Sequence, residues 1–195
     1  TFQMRALNNN EESRVRNLLS GSSRDSDEII VTYPFNIQSR DIATLKDRTF
    51  INDACINVYL HHLQKQVGRI AQSRVQFFRT QWYSYLYCNE TYRYESVANH
   101  RRVQNAMDYD INVIPINVTQ THWYIVVVLM SHKRLLVLDS LGNNFKDHHI
   151  RTCANITRFL KQRYGENETW KSFRVDCPKQ QHCDEPLFRK VLVTM

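Results

Sequence analysis

The chain has 195 residues, a hydrophobic fraction of 42%, and 26 Lys and Arg against 19 Asp and Glu, for a net charge of +7. That length suits one domain with a sizeable core, and the composition excludes a disordered chain; with only four Gly and four Pro it also excludes a linker-rich array. The longest apolar run, 123–130, is too short to span a bilayer, and the opening TFQMRALNNNEESR lacks an apolar leader segment.

In chain order, residues 1–27 read as a polar N-terminal arm holding one short helix, and 28–195 as a single domain. EIIVTYPF at 28–35 predicts a strand ending at Pro34. SRDIATL at 39–45 predicts a short turn or extended segment opened by Ser39. Asn52 or Asp53 is a good N-cap for a helix whose apolar positions, Ile56, Val58, Tyr59, Leu60 and Leu63, recur near the helical period until Gly68 closes it. VQFFRTQWYSYLY at 75–87 fits strand or helix, and 88–106 reads as irregular or helical. INVIPINV at 111–118 is a β-branched run interrupted by Pro115. THWYIVVVLMSHKRLLVLDSLGN then predicts a hairpin, KDHHIRTCANITRFLKQR a helix over 146–163 closed by Gly165, and SFRVDC at 172–177 a last strand. Strands gathered after a helix, with another helix inserted, predict an α+β domain rather than alternating βαβ units.

The hairpin places two chemically useful groups within reach. If a two-residue loop at Ser131-His132 pairs Met130 with Lys133, residue 122 falls opposite 141 and Asp139 is its diagonal neighbour, roughly 7–8 Å away on the same face; a four-residue loop also keeps the two on one face, and a three-residue loop puts them on opposite faces. A carboxylate there would fix the tautomer of His122, whose other nitrogen could take a proton from a nucleophile. A Cys beside that imidazole would ionise near neutral pH. The residues alone leave a second reading open: His122 as a strand-end histidine and Asp139 as a turn former in DSLGN. Five cysteines (Cys55, Cys88, Cys153, Cys177 and Cys183), an odd number without disulfide-framework spacing, point to a reducing compartment and leave room for a reactive thiol.

Four patches in order resemble the Ulp/SENP family of ubiquitin-like-protein proteases, cysteine proteases that process and remove SUMO and its relatives. TFINDACINVYLHHL resembles the family's helix start, with Phe50 where a Trp usually stands. PINVTQTHWYIVVV and LLVLDSLG resemble its His-Trp and Asp-Ser strands, and DCPKQQ its approach to the catalytic cysteine. The resemblance implies a papain-like α+β fold with a central sheet flanked by helices. It implies His122 as base, Asp139 as orienting acid and Gln181 as oxyanion donor; of the cysteines present, Cys183 is the one taken as nucleophile. Trp123 would cover a narrow tunnel for a Gly-Gly tail, with Phe50, Asn52 and Asp53 along the approach.

The chain departs from the family pattern at the nucleophile. Gln, five residues, Cys and Gly are expected, which from Gln181 would place the Cys at Leu187, whereas the sequence runs QQHCDEPLF. A shortened loop with Cys183 active, a segment absent from this sequence around 182–186, and a site without catalytic power all account for that departure. The reading taken is a cysteine protease cleaving after the Gly-Gly tail of SUMO or a similar modifier. A related Cys-His-Asp acyltransferase and a non-catalytic module binding a ubiquitin-like protein are the alternatives. The implied partner is SUMO or another ubiquitin-like protein and its conjugates, met by a monomer in the nucleus or cytoplasm, with no cofactor, no metal and no membrane.

Other constellations carry less. His148-His149 and His61-His62 lack the paired spacing of zinc sites. Trp82 with Tyr83, Tyr85 and Tyr87 reads as a buried aromatic layer rather than a base-stacking platform. The basic residues contain no run of five, which disfavours nucleic-acid binding.

Overall fold

The computed structural model describes residues 8–20, 29–31, 35–46, 49–70, 74–99, 108–118, 120–142, 144–165 and 167–179. The described residues up to Val58 form one compact unit and residues 59–179 a second.

In the first unit, α1 (Asn9–Ser20) begins with a reciprocal cap. The Glu11 amide donates to Asn8 Oδ1 and the Asn8 amide to a Glu11 carboxylate oxygen, both at 2.9 Å, which satisfies two otherwise orphaned donors. β1 (Ile29–Val31) pairs antiparallel with β2 (Ile37–Gln38); of the strand expected over 28–35, residues 29–31 are strand and Phe35 is not, while 28 and 32–34, Pro34 among them, lie outside the described residues. α2 (Ser39–Ala43) has its cap one residue before the expected Ser39. The Gln38 amide donates to Asp41 Oδ2 at 2.8 Å, so Gln38 takes the capping position and Ser39 is already helical.

α3 (Asp53–Ile70) is capped by Asn52, whose Oδ1 accepts from the Cys55 amide at 3.1 Å. The same side chain donates to Asp41 Oδ1 at 2.7 Å, tying the helix start to α2. The helix runs two residues past Gly68, because one glycine costs a helix only about 1 kcal/mol and does not end it.

The second unit is organised by a five-stranded mixed sheet in the order β3-β6-β7-β8-β9. The ambiguous segment 75–87 divides into β3 (Val75–Phe77), α4 (Gln81–Leu86) and the start of β4 (Tyr87–Cys88). β4 turns back on β5 (Thr91–Tyr92) through Asn89 and Glu90, both at positive φ, and α5 (Glu95–Ala98) follows. That hairpin was not legible in the sequence, because an Asn-Glu turn lacks the glycine that usually marks two positive φ angles. α3 clasps β3 through Gln64, which donates to Val75 O at 2.8 Å and accepts from the Phe77 amide at 2.9 Å.

β6 (Ile111–Val118) runs straight through Pro115, which pairs with Ile125 of β7 (His122–Leu129). β3 ends opposite Val113, so Pro115 sits where that edge of β6 has lost its neighbour, a place where a missing N–H is tolerated. β7 and β8 (Arg134–Leu138) are joined by a tight turn in which the Lys133 amide donates to Met130 O at 3.3 Å. Leu129 pairs with Arg134 and Ile125 with Leu138, the register of the two-residue loop. β9 (Lys171–Arg174) adds parallel to β8 and is shorter than the strand expected over 172–177.

α6 (Asp147–Tyr164) ends at Gly165, whose φ of 65° provides the left-handed cap and whose amide returns to Lys161 O at 2.9 Å. On one face of the sheet, Ile114, Ile116, Tyr124, Val126, Val128, Leu135 and Val137 pack with Trp82, Tyr83 and Leu86 of α4 and Ile156, Phe159 and Leu160 of α6. Val113, Ile125 and Val127, pointing the other way, are also buried. Burial on both faces explains why YIVVV is a continuous apolar run instead of an alternating one. Trp82 and Tyr83 are core aromatics as expected, whereas Tyr85 is exposed.

Phe159, edge-on to Trp82 at 5.3 Å, anchors α6 in this core. Phe159→Ala is expected to cost about 3–5 kcal/mol in urea unfolding, while Ile150→Ala on the exposed side of the same helix should stay within about 0.5 kcal/mol.

Candidate active site

The alternation of side chains along β7 and β8 puts His122 on the face of Tyr124 and Val126, and Asp139 on the face of Leu135 and Val137. Both therefore emerge on the side where α6 packs, at the end of the sheet where β7 begins and β8 stops. His122 Nε2 lies 2.7 Å from Asp139 Oδ1. Asp139 has no exposed side-chain surface, whereas the His122 side chain retains 12%, so the acid is sealed and the imidazole can be reached.

Asp139 also builds the turn that follows it. Its Oδ1 accepts from the Leu141 amide at 2.8 Å, an Asx turn that reverses the chain after β8. The two readings of Asp139, turn former and imidazole partner, are thus both correct of one oxygen. Gly142, at φ 99°, completes the turn. Arg174 of β9 clamps the segment from the other side, its guanidinium donating to the carbonyls of Val137, Asp139 and Gly142.

The second carboxylate oxygen is held by a residue that the sequence did not mark as functional. His149, fully buried in the first turn of α6, lies with Nε2 2.8 Å from Asp139 Oδ2. Its Nδ1 accepts the Lys146 amide at 3.1 Å, the reach-back bond that Glu or Gln makes in a capping box. An amide N–H can only donate, so Nδ1 carries no proton and Nε2 does. The HH pair was visible at 148–149, but its spacing carries no signal of a contact with a carboxylate ten residues earlier.

Burial pushes the Asp139 carboxyl up, but the bonds from His122, His149 and the Leu141 amide outweigh it and hold the carboxyl well below its ordinary range. An ionised carboxylate only accepts, so His122 also presents Nε2–H to it. In the neutral His122 ring, Nδ1 then carries the lone pair able to take a proton from a nucleophile.

Asp139, His148 and His149 offer donor atoms within 4.8 Å of one another. Both nitrogens of His149 and both oxygens of Asp139 are already engaged in hydrogen bonds. The cluster therefore fits a hydrogen-bonded network rather than a set of metal ligands. His148 packs tilted against Tyr124 at 5.6 Å and edge-on to His149 at 4.1 Å, and burial, followed by the neighbouring His149, lowers its basicity. Tyr124 closes the floor of the site, its hydroxyl donating to Thr152 Oγ1 at 2.7 Å.

Trp123 follows His122 on β7, opposite Asn117 of β6, with its side chain on the other face of the strand. Phe50 is exposed in the first unit, Asn52 caps α3, and Asp53 is that helix's first, exposed residue. Gln181 and Cys183 lie outside the described residues. The described cysteines (Cys55, Cys88, Cys153 and Cys177) are free thiols. Burial pushes the Cys55 thiol up to about 11, and burial likewise raises Cys153 and Cys177.

An α+β sheet that delivers a reachable imidazole backed by a sealed carboxylate defines a protein equipped for base-assisted nucleophilic chemistry. The chain belongs to the Ulp1 protease family: the model of that family's C-terminal catalytic domain matches residues 49–185. It is 28% identical over 162 residues to Sentrin-specific protease 2 of Homo sapiens, a match covering 83% of this chain and 26% of the relative. It is 24% identical over 179 residues to Ubiquitin-like-specific protease 1 of Saccharomyces cerevisiae, covering 89% and 27%. The chain thus spans about a quarter of the length of these relatives.

Among solved structures, the C-terminal Ulp1 protease domain in complex with SMT3, the yeast ortholog of SUMO, superposes with a TM-score of 0.81 at 20% identity. That match covers 100% of this chain and 85% of the other. The Ulp1-like SUMO protease catalytic domain of Chaetomium thermophilum superposes with a TM-score of 0.70 at 16% identity, covering 98% and 79%. The α+β fold expected from the sequence is therefore the fold of this family's catalytic domain.

The depressed Asp139 carboxyl stabilises the fold above the ordinary carboxyl range, and this contribution fades as pH falls below about 4. Asp139→Asn should cost about 2 kcal/mol at pH 7, and the gap between variant and parent in urea unfolding should narrow at pH 3. A gap that stays constant with pH would show that the carboxyl is not ionised in the folded protein.

Proposed function

We propose that this chain is the catalytic domain, over residues 28–195, of a thiol protease that cleaves after the Gly-Gly tail of SUMO or a similar ubiquitin-like modifier. The observation that carries the reading is the 2.7 Å contact between His122 and buried Asp139 in a chain of the Ulp1 protease family. Cys183 is the nucleophile, His122 the base, Asp139 the acid that orients it, and Gln181 the oxyanion donor. Burial keeps Cys55, Cys153 and Cys177 protonated, which leaves them poor nucleophiles.

In the first half-reaction His122 Nδ1 takes the thiol proton and the thiolate adds to the carbonyl carbon of the terminal glycine. Gln181 donates to the oxyanion, a contact that typically contributes about 10²–10³ in rate. Collapse expels the amine, which takes the proton from the imidazolium, and leaves a thioester. Water then gives a proton to His122, attacks the thioester, and regenerates the thiol. Trp123 covers the glycine tail, with Phe50, Asn52 and Asp53 along its approach. The protein acts as a monomer in the nucleus or cytoplasm; among the described residues no helix is long and apolar enough to cross a membrane.

A second reading has its own observation. The segment QQHCDEPLF places Leu187 where the family spacing from Gln181 puts the cysteine. A chain of that kind would grip the modifier without cutting it.

A SUMO probe with a C-terminal thiol trap separates the two. The expected result is a covalent adduct, seen as a mass shift, that is lost in Cys183→Ala and slowed about 10³–10⁴-fold in Asp139→Asn. Binding without adduct would establish the non-catalytic reading, and neither binding nor adduct would overturn both.

A further inference from the structure

The two oxygens of Asp139 are not equivalent. Oδ1 is held by the Leu141 amide and faces His122, while among the described residues Oδ2 has one donor, His149 Nε2. The torsion that turns a carboxylate plane is broad, so a single imidazole would not fix it. Here a donor on each oxygen does. The donor on Oδ2 is itself fixed: Lys146 N–H occupies His149 Nδ1, Tyr124 meets the ring edge-on at 4.8 Å, and Phe145 does so at 6.0 Å.

We propose that His149 is a positioning residue of the candidate site, holding Oδ2 of Asp139 so that Oδ1 keeps His122 in its Nε2–H tautomer. The carboxylate thus lies between two imidazoles of different duty. His122, partly exposed, exchanges protons with the reacting groups. His149, sealed and pinned by the cap of α6, carries its proton only as a strut. The effect on catalysis rests on the function proposed above; the effect on the His122 tautomer does not.

The test pairs histidine nitrogen NMR with kinetics on the whole chain. In the parent protein at pH 7, His149 should show an unprotonated Nδ1 and a protonated Nε2, and His122 a single Nε2–H tautomer. His149→Leu should leave His122 exchanging between tautomers. On SUMO carrying a C-terminal fluorogenic amide, it should lower kcat about 10–100-fold with KM little changed. His149→Gln retains an acceptor for the Lys146 amide and a donor for Asp139, so it should restore the His122 tautomer and most of kcat.

A His149 protonated at Nδ1, or a His122 tautomer unchanged in His149→Leu, would overturn the proposal, as would a Gln variant as impaired as the Leu one. If His149→Leu does not fold, the parent tautomers and the Gln variant decide. If the parent cleaves nothing, the function proposed above fails while the nitrogen shifts still decide the role of His149.

Discussion

The site depends on one buried carboxylate that cannot move. Asp139 leaves β8 and at once accepts from the Leu141 amide, His122 and His149, while Arg174 holds its backbone carbonyl. A charged group with no exposed surface is costly to bury unless its lone pairs are met. Meeting them is what sets the geometry. The Asx turn fixes where the chain goes, and the two imidazoles fix the carboxylate plane. The sheet register then decides which strand supplies the reachable ring. Ionisation of Asp139 follows from that set of donors and in turn fixes which nitrogen of each ring carries a proton.

Much of this was legible before any coordinates. A two-residue turn between the two apolar runs was one of the registers open in the sequence; the structure adopts it, and period-two alternation then puts His122 and Asp139 on one face. The caps of α3 and α6 were readable from Asn52 and Gly165, because capping chemistry is local. The places where sequence reasoning stopped are equally specific. Pro115 suggested a break, and nothing local could show that β3 would end before reaching it. The β4-β5 hairpin lacks a turn glycine. His149 looked like half of an idle pair because its partner depends on the docking of α6 against the end of the sheet, a tertiary fact with no local signature.

The cysteines show how environment sorts residues of one type. Cys55 donates to Asp41 O at 3.2 Å and sits among acidic neighbours after desolvation has already raised its thiol. Cys153 is on the buried face of α6, and Cys177 is raised by burial despite the opposing influence of Arg174. Thiols of this kind pack as small apolar groups. For these three cysteines burial is therefore what makes the sulfur a packing group.

Arg174 has a mechanical consequence. It sits at the end of β9, whose backbone is joined to β8 by the bond from the Val175 amide to Val137 O, and its guanidinium bridges the carbonyls on either side of the acid. The rivet that steadies the acid is thus also a joint between β9 and the turn that follows β8. Any sliding of β9 along β8 would have to break these bonds as well as the ladder, so the turn that holds the acid is stiffened by the edge of the sheet.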